Sequence, residues 1–366
     1  MMGRYGSAQA RWEGVGPYYA MFPVAFANRV IAQHSRPGDV VLDPFAGRGT
    51  AVFSAAVQNR VGIGIEINPV GWVYAQAKLN PARRSAVEKR IRQIGQAAQR
   101  WYGPKAQCLP MFFKKCYRNE VRKFLVAARE ELDWRGSTVD RTVMALLLVH
   151  LHGKAGGALS NQMRQTKAMS PDYAIRWWNK HNSEAPDLDP VEYMVRRLSW
   201  RYAQGTPPIT KGSRAYLGNS IDVLDKLKCH TTSTKISLLF TSPPYLGVTN
   251  YHYDQWLRLW LLGEQPNALR KTGTHRGKFE STEKFAALLH DVFSRAARIA
   301  ARDATIYVRT GRQESTHRVT RAVLRDVFSR HRMIRHVRPF VRPTQTQLFG
   351  DYEQKLGEAD LILVRE

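Results

Sequence analysis

Residues 38–79 constrain the fold more than any other segment. Gly38 and Asp39 lead into Val40-Val41-Leu42-Asp43, a short apolar run that reads as a buried strand. The run passes into Pro44-Phe45-Ala46-Gly47-Arg48-Gly49-Thr50, a glycine-bearing turn, and residues 51–58 read as a helix. Residues 61–67 form a second β-branched run with Glu66 near its end. Asn68-Pro69 makes a turn, and residues 70–79 a second helix. Strand, helix, strand, helix in this order is the opening of a doubly wound parallel sheet. In such a sheet ligands sit beyond the carboxyl ends of the strands, where the strand order reverses.

The pattern then breaks. Residues 81–212 show helical periodicity and few strand signals, with Val121, Phe124, Leu125, Ala128 and Leu132 on one face. Residues 141–152 and 171–180 read as further helices, and 182–190 and 205–208 as loops. Strand signals resume at 215–218, 236–240, 305–309, 333–341 and 359–364, with helices at 285–299 and 319–328. A chain of 366 residues is long enough for one large α/β domain with an insert. The expected division is 1–82 and 214–366 as two parts of one domain, with 83–213 a helical insert that recognises the target.

Charge says what such an insert meets. The net charge is +26, and residues 83–215 (+14) and 264–345 (+11) hold 25 of those charges. Clustered basic surface favours a polyanion, here a nucleic acid, and a resemblance described below makes double-stranded DNA the expected partner. The longest apolar run, 143–149, is too short for a bilayer, and the polar N-terminus does not read as a secretory signal. Three cysteines, with no zinc spacing among them, argue for a reducing compartment and against a metal site. The expected location is a prokaryotic cytoplasm, at the nucleoid.

The turn at 43–50 lets backbone approach a ligand closely, and Glu66 ends the next strand, where an acid accepts hydrogen bonds from ribose hydroxyls. An adenosine-containing cofactor fits this pair. No Gly-Lys-Ser/Thr follows, so it is not a P-loop, and without the third glycine a dinucleotide is disfavoured. An ordinary tight turn would show the same glycines.

Residues 236–240 deliver Thr241-Ser242-Pro243-Pro244-Tyr245 to a strand's carboxyl end. Two prolines stiffen this loop and remove two backbone donors, which leaves acceptors: the Ser242 hydroxyl and the nearby carbonyls. Such a loop suits an aromatic NH2, and Tyr245 offers a face for a base to stack on. An exocyclic amino lone pair is delocalised into its ring and is a poor nucleophile. Accepting both its N–H bonds favours a pyramidal nitrogen aimed at the methyl donor. A base inside a duplex must be flipped out to reach such a loop.

At these residues the chain resembles the amino-methylating DNA methyltransferases, which act on cytosine N4 or adenine N6. Residues 43–50 resemble the family's cofactor motif, with Arg48 where a Ser or Cys is usual, and 63–69 its ribose-binding strand. Residues 19–31, with Phe22 and Pro23, are similar to the helix that seats the methionine moiety. Residues 217–222 resemble the adenine-contacting strand end, with Asn219 where an acid is usual. Residues 241–245 resemble the catalytic motif, and 357–364 the closing strand.

The resemblance implies a Rossmann-like class I methyltransferase fold: a mostly parallel twisted sheet with an antiparallel closing strand. It implies S-adenosyl-L-methionine held by Phe22, Pro23, Asp43, Pro44, Phe45, Gly47, Gly49, Thr50, Glu66, Ile67, Asn219 and Ser220. It implies catalysis by Ser242, Pro243, Pro244 and Tyr245 without metal. Serine at the head of that motif points to cytosine N4, in a modification system with a cognate restriction endonuclease. Adenine N6, an RNA base, and a non-catalytic nucleic-acid binder of this fold remain alternatives. Trp177, Trp178, Trp256, Leu259 and Trp260 fit either base-stacking or core positions.

Overall fold

Apolar runs of four to six residues become parallel strands here because helices cover both faces of the sheet. The structure is a computed structural model and describes residues 5–17, 23–230, 235–246, 251–266, 281–338 and 357–365. The first part contains α1 (Ala8–Glu13), α2 (Val24–His34), β1 (Val40–Asp43), α3 (Thr50–Ala56), β2 (Val61–Glu66) and α4 (Pro69–Leu79). Asn68 starts α4, its side chain accepting from the Val70 amide at 2.9 Å with Pro69 in the first turn.

The middle is helical: α5 (Arg84–Trp101), α6 (Gly103–Gln107), α7 (Met111–Cys116), α8 (Asn119–Glu131), α9 (Thr138–His150), α10 (Pro171–Lys180) and α11 (Pro190–Tyr202). The last part contains β3 (Arg214–Leu217), α12 (Ser220–His230), β4 (Ile236–Thr241), α13 (Tyr251–Asp254) and α14 (Trp256–Leu261). It continues with α15 (Thr282–Ile299), β5 (Ala300–Gly311), α16 (Glu314–Val327), β6 (His331–Arg338) and β7 (Glu358–Arg365).

The sheet order is β3-β2-β1-β4-β5-β7-β6. β1 pairs parallel with β2 and β4, β2 with β3, and β4 with β5. β7 runs antiparallel between β5 and β6. This is the mostly parallel Rossmann-like α/β fold expected, with its antiparallel closing strand. The order reverses between β1 and β4, so the switch-point crevice opens at the ends of those two strands.

Alternation along β1 sends Val40 and Leu42 to the face covered by α15 and α16, and Val41 to the face covered by α2 and α3. The middle helices lie against the first part. Val52, Phe53, Trp72 and Val73 of α3 and α4 share one continuous core with Val87, Ile91, Phe124 and Leu147. Trp256, Leu257 and Trp260 of α14 complete it, and Arg258 is sealed inside, donating to the Leu148 and Gln165 carbonyls. Trp178, Trp256, Leu259 and Trp260 are thus core residues, while Trp177 stacks on His181. Among the described residues no helix is long and apolar enough to cross a membrane.

Candidate active site

The two motifs meet through one hydrogen bond. Asp43 ends β1 and Thr241 ends β4, and Thr241 Oγ1 donates to Asp43 Oδ1 at 2.6 Å. The Phe45 amide donates to the same oxygen at 3.1 Å. Burial pushes the Asp43 carboxyl up to about 7, against these two hydrogen bonds, which pull it down.

The glycine turn then closes over Glu66. Gly49 takes a left-handed φ of 74° and caps α3, and a Cβ there would meet Ala75 Cβ at 2.6 Å. The Gly47 amide donates to Glu66 Oε2 at 2.6 Å, and the Asn68 amide to Oε1 at 2.8 Å. Burial pushes the Glu66 carboxyl up to about 7, again opposed by the backbone donors. The Ile67 amide donates to this carboxylate as well, and lone-pair capacity remains for a ligand hydroxyl. Gly71 keeps this corner tight, because a Cβ there would lie 2.7 Å from the Gly47 carbonyl and 3.0 Å from Glu66 Cγ. Beside Glu66, Ile67 is 40% exposed, an apolar surface at the strand end.

β3 brings the third edge. Ser220 Oγ donates to the Pro44 carbonyl at 2.5 Å, tying the start of α12 to the glycine turn. Asn219 Oδ1 accepts from the Ile221 amide at 3.1 Å, so its acceptor serves as a helix cap. Thr50 is buried in the first turn of α3. Arg48 donates to Thr50 Oγ1 at 3.2 Å and to the Gly16 carbonyl at 2.9 Å, which ties the turn to the N-terminal segment. Pro23 caps α2, and Phe22 lies outside the described residues.

The second loop stands across the crevice. Ser242 Oγ and Tyr245 OH lie 3.4 Å apart, and Tyr245 OH donates to Glu358 Oε1 at 3.3 Å. A Cβ on Gly311 would sit 3.2 Å from Tyr245 Cδ2, so the ring rests on β5 backbone. Arg309 Nη1 pairs with Glu358 Oε2 at 3.2 Å. Its Nε and Nη2 grip Asp360 at 2.7 and 2.9 Å, and the guanidinium lies 3.4 Å over the Phe26 ring. Burial raises the Glu358 carboxyl, and Arg309 and Tyr245 pull it back down.

Glu358, Asp360 and Arg309 belong to none of the site residues expected from the sequence. Glu358 and Asp360 stand two apart on one strand, opposite Gly311 and Arg309 on its neighbour. An acid at alternate positions of an apolar strand is the local sign of that cluster.

Residues 4–72 match the N6/N4 DNA methylase family. Type II methyltransferase M.HpaI of Haemophilus parainfluenzae is 48% identical over 52 residues, 14% of this chain and 17% of its own. DNA adenine methyltransferase YhdJ of Escherichia coli (strain K12) is 52% identical over 46 residues, 13% of this chain and 16% of its own. Type II methyltransferase M.MthZI of Methanothermobacter thermautotrophicus is 30% identical over 119 residues, 32% of this chain and 30% of its own. The chain spans less than a third of the length of these curated relatives. The matched segment contains the glycine turn, and the sheet joins that turn to the proline loop, so in this part the chain is similar to the amino-methylating DNA methyltransferases.

Proposed function

We propose that the protein transfers a methyl group from S-adenosyl-L-methionine to the exocyclic amino group of a flipped DNA base, most directly cytosine N4. The hydrogen bond between Thr241 and Asp43 carries this reading. It holds an acceptor-rich loop beside a cofactor turn at the sheet's switch point. The cradle fits the cofactor: Glu66 offers acceptors to ribose hydroxyls, Ile67 an apolar face to adenine, and the glycines of the turn leave room for close approach.

When bound, the cofactor supplies an electrophilic methyl group. The residues of this chain do the positioning. Ser242 Oγ and the carbonyls at Pro243 and Pro244 accept the two amino N–H bonds and aim the nitrogen lone pair. Tyr245 stacks on the base, and its tether to Glu358 fixes the plane of the ring. Serine at the head of the loop supports cytosine, and the likeness to a DNA adenine methyltransferase supports adenine N6 as the second reading.

The test is incubation of the full chain with labelled cofactor and DNA, then mass spectrometry of the nucleosides. N4-methylcytosine is the expected product. N6-methyladenine alone would replace the cytosine reading, and better transfer to RNA would replace DNA. In a modification system a cognate restriction endonuclease accompanies the enzyme, and DNA isolated from the host should then resist one endonuclease activity.

The buried acid predicts a pH dependence. Hydroxyl donors from a ribose stabilise the Glu66 carboxylate, so binding lowers its pKa from about 7 and releases a proton. Cofactor affinity therefore rises with pH up to about 7 and levels off above it. Between pH 8 and pH 6 it should fall about tenfold. Titration calorimetry at several pH values reads this, and a flat profile in Glu66→Gln would assign it. Without ligand the sign is opposite for stability. The folded state holds these protons more tightly than the unfolded chain, so stability falls as pH rises from the ordinary carboxylate range to about 7.

A further inference from the structure

A second basic feature lies beside the proline loop. α16 and β6 enclose a cleft of about 430 Å³ lined by Arg312, Glu314, His317, Arg318, Arg321, Arg325 and Arg335. Its ionisable groups are five arginines and one histidine against a single carboxylate. Among the described residues no ion pair engages Arg318, Arg321, Arg325 or Arg335. Some arginines elsewhere on the surface are paired, as in Arg295 with Asp225 and Arg92 with Glu192. Like charges gathered on one helix face repel, so an unpaired cluster is a cost unless an anion meets it.

The cleft also holds an orphaned polar atom. Among the described residues, the buried His317 Nε2 finds no hydrogen-bond partner. Burial holds the His317 ring below its usual pKa, and the charges of Arg335, Arg321 and Arg312 press it lower still. Such a field suits a ligand with dense negative charge.

Position identifies the ligand. Thr310 Oγ1 and Thr320 Oγ1 lie 3.4 Å apart and join the end of β5 to α16, while the Arg312 amide donates to the Gly357 carbonyl at 3.2 Å. Arg312 directly follows Gly311, which touches the Tyr245 ring. The cleft thus begins one residue from the loop that receives the base. Arg318, Arg321 and Arg325 stand at helical spacings of three and four, a stripe about 10 Å long. Phosphates of one strand advance ~3.4 Å per nucleotide along a duplex, so the stripe matches about three of them. Guanidinium groups meet phosphate bidentately.

We infer that this cleft binds consecutive backbone phosphates of the DNA strand whose base enters the Tyr245 loop. The inference rests on the reading of the chain as a DNA methyltransferase, but its test does not require turnover. The full chain and a variant combining Arg318→Ala, Arg321→Ala and Arg325→Ala are titrated with a fluorescent duplex of mixed sequence over a range of KCl concentrations. Each lost phosphate contact flattens the log–log salt slope by ~0.9, so the triple variant should be flatter by about 3 and bind more weakly at low salt. Its cofactor affinity should equal the parent's. Arg325→Glu, a single change at an exposed residue, should act in the same direction.

An unchanged slope and affinity overturn the cleft even where the parent methylates DNA. A flatter slope in the variant of a parent that methylates nothing supports the cleft while refuting the enzymatic reading. A larger loss on RNA than on DNA overturns the DNA assignment. Displacement of the duplex by inorganic phosphate at concentrations that leave the triple variant's residual binding intact reduces the cleft to a single-anion site, and overturns the strand-tracking reading.

Discussion

Ser242→Ala is expected to slow methyl transfer to DNA about 100- to 1000-fold while leaving cofactor affinity within about twofold. The two effects separate because the residues stand on different strands. Glu66 and the glycine turn follow β2 and β1, whereas Ser242 follows β4. Loss of the hydroxyl removes an acceptor that matters only as the amino nitrogen pyramidalises, so the deficit belongs in kcat. Tyr245→Phe should be much milder, because it keeps the ring on Gly311 and loses the hydroxyl's contacts, the 3.3 Å tether to Glu358 and the 3.4 Å approach to Ser242 Oγ among them. Tyr245→Ala removes the stacking face and should approach Ser242→Ala. Transfer of labelled methyl groups under single-turnover conditions reads all three. An undiminished rate in Ser242→Ala would sink the proposed role of the loop.

Arg309→Met should destabilise the protein by about 3–5 kcal/mol, the usual penalty for stranding a buried charge. Asp360 is fully buried and Arg309 is its bidentate partner. Methionine fills most of the volume over Phe26 but takes the bidentate cation away from that buried carboxylate. The thermal midpoint should fall by roughly 5–15 °C. Methyl transfer should fall as well, since Glu358 loses the cation that holds it under Tyr245. Adding Asp360→Leu to Arg309→Met should recover much of the stability, because an apolar pair replaces the buried ion pair. It should not recover activity, because Glu358 still lacks its partner. A midpoint unchanged by Arg309→Met would show that the pair contributes nothing to the fold.

Much of this architecture could be read residue by residue. The run 40–43 and the glycine turn after it, the strand ending at Glu66, and the strand delivering Thr241 are local patterns, and each became the expected element. Helical spacing allowed Trp256, Leu259 and Trp260 a core face or a stacking role, and burial decides for the core. Boundaries moved most where caps decide them. Residues 305–309 grew into β5 (Ala300–Gly311), because pairing with β4 at Ala300 and with β7 as far as Gly311 extends the strand beyond its apolar centre. The middle helices look self-sufficient in sequence, yet they share their core with α3 and α4. Amphipathic periodicity reveals an apolar face but not what covers it.

The sequence by itself therefore determined the two loops, their places at strand ends and the acid beside the glycines, since turn chemistry and short-range apolar patterns encode these. Only the tertiary structure decided that the loops touch. Thr241 and Asp43 are 198 residues apart, Ser220 and Pro44 are 176 apart, and Tyr245 and Glu358 are 113 apart. Those contacts follow from strand order and register, which no window of sequence contains. The arginines of α16 make the same point. Along the chain they resemble any solvated helix face, and they become a cleft only because β6 folds back beside them and β5 ends against Tyr245.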